Sequence, residues 1–244
     1  MKHYLVTLWN VDLYDLGWLE RRQELFERFT VPSVEAQKNK NFEWLLISDV
    51  RTPEKFQKVL NGYPAKVLYQ DWENYNWAVP PSGLSESMNL AVRIETVGDV
   101  VAKFIGGQNT DYVITSRLDN DDMLASEYTD YVQRFAASSW EKRDADKFWL
   151  SLVRGYRWHE DKMYPFSSLA NSFVSFVESP QDLKTCYTCV HTLAKSGEYP
   201  IEGVRHGPPQ WSEVIHGENV LNRLKRWRGE KPASSERSRF NWRG

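Results

Sequence analysis

Three carboxylates stand within four residues at the end of one apolar stretch, residues 112–122. The stretch begins Tyr-Val-Ile-Thr, a run that predicts a buried strand, and ends Asp119-Asn120-Asp121-Asp122. Crowded carboxylates repel one another unless a cation neutralises them. Ligands of open α/β sheets bind just beyond the carboxyl ends of the strands. Because oxygen ligands suit Mg²⁺ or Mn²⁺, which bridge to substrate phosphates, the stretch predicts a divalent metal that faces a phosphorylated substrate.

The same acidic residues are compatible with two simpler roles. Asx side chains cap helices, and residues 124–135 have the pattern of a helix, so the cluster could be a turn followed by a helix cap. It could also open a calcium-binding loop, but it has no glycine at the sixth position and no glutamate at the twelfth. The calcium loop is therefore disfavoured, and the capping role stays open beside the metal site.

Composition sets broad limits on the function. The 244 residues suffice for one large α/β domain, and the formal net charge of -2 gives no electrostatic basis for binding nucleic acid. The 11 Trp and 12 Tyr suggest a sugar or nucleotide ligand, because aromatic rings stack on sugars and bases. No apolar run approaches the roughly 20 residues of a membrane span, and no signal-peptide core follows Met1. We therefore expect a cytoplasmic protein.

Strand and helix patterns alternate through the first 145 residues. The alternation predicts a mainly parallel sheet with helices on both faces. The predicted strands are residues 4–11, 43–49, 65–69 and the run from 112, and the predicted helices are residues 19–29, 31–37, 52–60, 85–105 and 124–135. After residue 145 the pattern predicts antiparallel structure in two β-hairpins, residues 148–158 with 163–166 and residues 172–177 with 184–191.

The order of these features resembles that of glycosyltransferases of the GT-A fold, and most closely the rhamnosyltransferase group. The shared pattern is an arginine on a helix, a short gap, and an apolar strand that ends in Asp-x-Asp-Asp, here Arg93 followed by residues 112–122. Further matching pieces are Arg-Leu-Asp at 117–119, Phe-Glu-Trp-Leu at 42–45 before Asp49, and His-Gly-Glu-Asn at 216–219. The likeness spans most of residues 4–222. The acidic motif alone occurs by chance in many proteins, and its combination with the other pieces is more specific.

The resemblance implies a Mn²⁺ or Mg²⁺ cofactor held by Asp119, Asp121, Asp122 and His216. The metal would bridge the two phosphates of a nucleotide diphosphate sugar and stabilise the leaving nucleoside diphosphate. His216 could instead be a structural histidine held by hydrogen bonds.

The resemblance also implies contacts to the rest of the donor. Thr7 and Asp49, at two strand ends, would contact the base, and Arg93 or Arg117 would neutralise a phosphate oxygen. Two of these residues have simpler alternatives. Asp49 could cap the following turn, and Arg93 could be an exposed helix charge.

An inverting transfer needs a group that accepts the proton of the acceptor hydroxyl. The carboxylates available in the second half are Glu160, Asp161, Glu202 and Glu213, and their spacing does not choose between them. We select Glu213 because it neighbours His216. A retaining enzyme would lack such a base, so the stereochemistry stays open.

We therefore predict a GT-A-like domain over residues 1–222, with a nucleotide-sugar-binding half over about 1–145 and an acceptor half over 146–222. Residues 223–244 are basic and Ser-rich, which predicts a flexible tail that could touch anionic membrane lipid. The predicted activity is metal-dependent transfer of a hexosyl group, with rhamnose one candidate, to a glycan or lipid-linked acceptor.

Two other functions are alternatives to this one. A nucleotidyltransferase would have a basic, Gly-rich loop after the first strand, and residues 11–15 are neither. A carbohydrate-binding protein without turnover would use the Trp and Tyr side chains for stacking and would release no nucleoside diphosphate.

The motif Cys186-x-x-Cys189-x-His191 is a weak zinc signal. A structural zinc site needs a fourth ligand and usually a second cysteine pair. We therefore expect two free thiols rather than a metal or redox site.

Overall fold

The computed structural model describes residues 1–11, 13–72, 86–143, 145–189, 191, 194, 197–216 and 236–243, with the backbone alone for 86–95 and 237. Its strands are β1 (Lys2–Leu8), β2 (Glu43–Asp49), β3 (Lys66–Gln70), β4 (Val113–Arg117), β5 (Met123–Leu124), β6 (Lys147–Leu152), β7 (Arg154–His159), β8 (Lys162–Ser167), β9 (Ser175–Glu178), β10 (Ile201–Val204) and β11 (Trp211–Val214). Its helices are α1 (Leu16–Leu25), α2 (Val31–Glu35), α3 (Glu54–Leu60), α4 (Glu86–Ile105), α5 (Tyr128–Trp140) and α6 (Arg237–Phe240), and a π-helical turn, Phe26–Thr30, joins α1 to α2. No described helix is both long and apolar enough to cross a membrane.

The main sheet has seven strands in the order β10-β6-β9-β4-β1-β2-β3. The strands β4, β1, β2 and β3 are parallel, whereas β9 runs antiparallel to both β4 and β6. The predicted fold class, a mixed α/β sheet flanked by helices, is therefore confirmed. Since β4, β1 and β2 are parallel, their carboxyl ends lie at one edge of the sheet, which is where ligands bind in such sheets.

The central strands carry apolar side chains on both faces of the main sheet. In β1 and β2, Leu5 and Trp44 pack into one apolar cluster, and Val6 and Leu45 pack into another. Successive side chains of a strand point to opposite faces, so a strand covered on both sides has a nearly continuous apolar sequence.

A second, four-stranded sheet has the order β5-β11-β7-β8. Its apolar side chains form a third cluster, in which the rings of Phe29 and Trp158 lie 4.7 Å apart. Antiparallel structure in the second half was predicted, but part of its pairing was not, because β11 runs parallel to β7. This sheet brings the end of β11 to the residues that follow β4.

Three predicted elements are corrected by the structure. Residues 148–158 are not one strand but two, because the chain passes at Val153 from the main sheet to the second sheet. The helix predicted from residue 124 begins at Tyr128, since β5 pairs with β11 instead. The hairpin predicted over residues 172–191 is wrong: β9 pairs with β4 and β6, and the described residues of 184–191 form turns.

The prediction of a flexible tail is wrong for residues 236–243. Phe240 has no exposed surface, its ring lies 5.9 Å from that of Tyr156, and Trp242 joins the same cluster. The backbone carbonyl of Arg239 accepts from the N–H of Ser126 at 2.8 Å. Phe240 and Trp242 therefore hold this segment on the second sheet. The basic composition of the tail does not indicate this packing. Residues 223–235 lie outside the described part of the chain, so membrane contact through them stays a prediction.

Candidate active site

The acidic segment directly follows β4 and is fixed at two points. The side-chain amide of Asn120 donates to the carbonyl oxygen of Trp9, just beyond β1, at 2.6 Å. The hydroxyl of Thr30 donates to the backbone oxygen of Asp122 at 2.9 Å. These bonds join the ends of two neighbouring parallel strands to the π-helical turn, so the segment cannot reorient freely at the edge of the sheet.

Asp121 lies between a guanidinium and an imidazole. Its Oδ2 accepts from Nη1 of Arg22, on α1, at 2.5 Å and lies 2.8 Å from Nε2 of His216, just after β11. Both partners are largely enclosed, with 11% and 15% of their side chains exposed. Burial alone would raise the pKa of Asp121, but the hydrogen bond to His216 and the charge of Arg22 outweigh it and lower the pKa. Asp121 is therefore a carboxylate in the folded protein.

Asp119 is held by Arg117, the last residue of β4. Nε and Nη2 of Arg117 donate to the two carboxylate oxygens at 3.0 and 3.2 Å, and Nη1 lies 3.1 Å from Nδ1 of His191. Burial opposes the charge of Arg117, but Asp119 outweighs it and raises the pKa of the guanidinium. With 32% of its side chain exposed, Asp119 is the acid of the segment that solvent reaches most readily.

Asp122 and Glu213 form the buried side of the site. Oδ1 of Asp122 accepts from the backbone N–H of Val214 at 2.8 Å, which attaches the segment to β11. Burial, followed by the charges of Asp121 and Asp119, raises the pKa of Asp122 well above its usual value. Burial also raises the pKa of Glu213, although Arg157 donates to its Oε2 at 2.7 Å and acts in the opposite direction.

The two residues that were predicted to contact the nucleotide base of the donor do not lie on an open surface. Thr7 is fully buried and accepts from the indole N–H of Trp44 at 3.1 Å, so its predicted place at the ligand edge is wrong. Asp49 is also fully buried; its oxygens accept from the hydroxyl of Tyr14 at 2.5 Å and from the backbone N–H of Arg51 at 2.8 Å. The latter bond is the turn-capping alternative. Both side chains stabilise the strand ends instead of facing a ligand.

The remaining predicted residues are Arg93 and the other carboxylates considered as proton acceptors. Arg93 lies in α4, but its side chain is outside the described part of the structure, so its role stays a prediction. Two of the carboxylates weighed as bases have partners of their own: Asp161 pairs with Arg28 and Glu202 with Arg143.

Three residues at the site were not predicted. Arg22, Arg157 and His191 each contact a predicted site residue or its direct partner. The cysteine–histidine motif was the one sequence signal for any of them, and it was interpreted as two free thiols rather than as a metal site.

The predicted metal ligands are only partly assembled. Within the described residues, no three His, Cys, Asp or Glu side chains come together in a way that could hold a metal ion. Asp121 and His216 do meet. Carboxylate oxygens suit Mg²⁺ or Mn²⁺ better than an imidazole does, and Oδ2 of Asp121 already accepts from Arg22, so the metal and its four ligands stay a prediction.

Solved structures with some similarity are S. aureus TarS (13% identity, TM-score 0.44), S. aureus TarS 1-349 (12%, 0.40) and mouse xyloside xylosyltransferase 1 in its apo form (9%, 0.43). The matches cover 88%, 88% and 80% of this chain, and 37%, 60% and 72% of the other chains. This chain therefore spans little more than a third of the first of them. Similarity at this level does not establish a shared substrate or partner.

No curated protein matches the chain significantly. The family model described as "Putative rhamnosyl transferase" matches residues 10–223, a range that includes the acidic segment, Arg22 and His216. The chain therefore belongs to this glycosyltransferase family.

Proposed function

We propose that the chain transfers a hexosyl group, with rhamnose the first candidate, from a nucleoside diphosphate sugar to a hydroxyl of a glycan or lipid-linked acceptor. The observation that carries the proposal is the position of Asp121 at the carboxyl end of β4, in contact with both Arg22 and His216. Membership of a glycosyltransferase family supports the reaction class. The site itself supports a donor that carries phosphate, because Arg22 and Arg117 place two guanidinium groups beside the acidic segment.

The donor diphosphate would bind in front of Asp119 and Asp121. Asp121 and His216 would hold a Mn²⁺ or Mg²⁺ ion, which when bound would neutralise charge on the diphosphate. Arg22 and Arg117 add fixed positive charge on either side of the acids. Guanidinium groups in a partly buried site stabilise phosphate charge without having to reorganise during the reaction.

The proton of the acceptor hydroxyl would go to Glu213 if the transfer is inverting. Its raised pKa suits proton acceptance, because an efficient general base has a pKa closer to the working pH than that of a free carboxylate. Arg157 would hold the carboxylate in place and neutralise it. The pair comes from β11 and β7, so the second sheet would form the acceptor side of the site.

Release of nucleoside diphosphate from a panel of nucleotide sugars, with and without Mn²⁺, tests the proposal. We expect Asp121→Asn to lower turnover by about 100-fold or more and to abolish Mn²⁺-dependent donor binding, since the amide neither carries charge nor replaces a carboxylate ligand. Glu213→Gln should keep donor binding but lose transfer. The control is Asp161→Asn, which changes an acid with 66% of its side chain exposed.

Unchanged turnover in Asp121→Asn would contradict the assignment of the site. Sugar binding without release of nucleoside diphosphate from any donor would favour the carbohydrate-binding alternative. A Glu213→Gln variant that unfolds more easily but still transfers sugar would show that Glu213 has a structural role.

A further inference from the structure

The turn at residues 184–189, together with His191, is built onto the main sheet behind the acidic segment. The carboxylate of Glu178, at the end of β9, accepts from the backbone N–H groups of Lys184 and Thr185 at 2.7 and 2.8 Å. The hydroxyl of Thr115, in the middle of β4, accepts from the N–H of Cys186 at 2.7 Å. The cysteine motif therefore belongs to a turn whose backbone is fastened to two adjacent strands.

This turn carries a strained residue. Thr185 has a φ of 68°, in the left-handed region that β-branched residues rarely adopt. Such a conformation persists only where the surroundings impose it, and it is concentrated near functional sites. Two residues later, the hydroxyl of Tyr187 reaches β1 and donates to the carbonyl oxygen of Val6 at 3.3 Å.

Tyr187 and His191 surround the guanidinium of Arg117. The centre of the guanidinium lies 5.6 Å from the centroid of the Tyr187 ring, and Nη1 lies 3.1 Å from Nδ1 of His191. The other two bonds of Arg117 go to the two oxygens of Asp119. Because a guanidinium is planar and its donors are fixed in a fork, the contacts with Tyr187 and His191 restrict the orientations in which it can bind both oxygens.

The chemistry of His191 suits this task. Arg117 can only donate, so Nδ1 of His191 must be the acceptor and the proton of the neutral ring must sit on Nε2. Burial and the adjacent guanidinium lower the pKa of His191 to about 3, so the ring stays neutral at physiological pH. Arg117 therefore keeps its acceptor over the whole physiological pH range.

We propose that His191 is a positioning residue of the active site: by accepting from Arg117 it fixes the guanidinium, which in turn sets the direction of the Asp119 carboxylate. The inference rests on the proposed function, since that function assigns Asp119 to the donor. It gives the cysteine–histidine motif a role that involves neither zinc nor redox chemistry. Cys186 and Cys189 are not joined by a disulfide.

A double-mutant cycle tests this inference in the full chain. We expect His191→Leu to lower kcat/KM for the donor about tenfold, because Nη1 of Arg117 loses its acceptor. His191→Asn should restore most of the activity, since its Oδ1 lies close to the place of Nδ1. Arg117→Lys should have a larger effect alone. The double variant His191→Leu with Arg117→Lys should be no worse than Arg117→Lys, because residues that act through one another are not additive.

Fully additive losses, or a His191→Leu variant as active as the wild type, would overturn the inference. NMR provides a readout that needs no turnover: His191 should show an unprotonated Nδ1 and a protonated Nε2, and the Nε–H signal of Arg117 should shift in His191→Leu. A wild type that turns over no nucleotide sugar would refute the proposed function, whereas a protonated Nδ1 or an unmoved Arg117 signal would refute this contact.

Discussion

Arg22 shows at the residue scale why part of the site could not be predicted. It occupies a helix between other charged and polar residues, Glu20 and Arg21 before it and Gln23 and Glu24 after it. Nothing in that pattern separates Arg22 from Arg21, because both have the composition of an exposed helix face. The difference arises from the fold, which turns Arg22 towards the end of β4 and places it against Asp121. Asp121 itself was predictable, since three acids after a buried strand are unusual.

Replacing Arg22 tests whether its positive charge contributes to binding and reaction of the nucleotide sugar donor. We expect Arg22→Ala to lower kcat/KM for the donor about 10- to 100-fold, because Asp121 loses its charged partner and the diphosphate loses a fixed cation. Arg22→Lys should recover part of the loss, since lysine keeps the charge but not the planar geometry. The matched control is Arg21→Ala on the same helix, with an expected change of less than about twofold. Steady-state kinetics checks this, and equal effects at both positions would contradict the assignment.

At the scale of elements, a strand with clear sequence boundaries was predictable. An extended stretch that is divided between two sheets was not. Strand β2 was predicted with its observed limits, because an apolar run is bounded by polar residues and by an acidic turn. The stretch after residue 145 has apolar residues on both sides of Val153 and no Pro or turn motif there, so the sequence does not show that the chain changes sheets at Val153. The turn at residues 184–189 resembles a strand because its apolar side chains face the core, although its N–H groups bond to Glu178 and Thr115 instead of to another strand.

The C-terminal segment provides a prediction at this scale. Phe240→Ala should lower the free energy of unfolding by about 3 to 5 kcal/mol, because it leaves a cavity beside the ring of Tyr156 in the second sheet. Deleting residues 236–244 should cost at least as much and should reduce activity, since this sheet carries Glu213 and leads to His216. Urea unfolding followed by tryptophan fluorescence measures the effect. Arg243→Ala, with 61% of that side chain exposed, should change little. Unchanged unfolding in Phe240→Ala would show that the segment does not pack in solution.

At the scale of the whole molecule, the site joins residues that are far apart in the chain. Arg22 and Asp121 are separated by 99 positions, and Asp121 and His216 by 95. The family resemblance predicted two of these three residues and their order, and the strand–helix alternation predicted a mainly parallel sheet with helices on both faces. The order of all seven strands depends on β9 lying between β4 and β6, a long-range pairing that no local pattern encodes.

His3 gives a prediction for the stability of the whole domain, because it ties β1 to β4 and to α5. Nε2 lies 2.8 Å from Oγ of Ser116, and Nδ1 lies 3.1 Å from the side-chain amide of Gln133, so the buried ring is neutral with its proton on Nε2. Burial lowers the pKa of His3 from 6.5 to about 3. The unfolded chain therefore takes up a proton below pH 6.5 that the folded chain does not, and stability falls as the pH falls through this range.

The contribution of His3 to the loss of stability between pH 7 and pH 5 is about 2 kcal/mol. We expect urea unfolding to show that the free energy of unfolding decreases less between pH 7 and pH 5 in His3→Gln than in the wild type, by about 2 kcal/mol. This difference does not depend on how much the substitution destabilises the protein at pH 7. The comparison variant is His206→Gln, which changes an exposed histidine. An identical acid loss in His3→Gln and the wild type would mean that His3 is protonated in the folded protein. In that case the contact with Gln133 could not exist as described, because a protonated Nδ1 cannot accept from an amide.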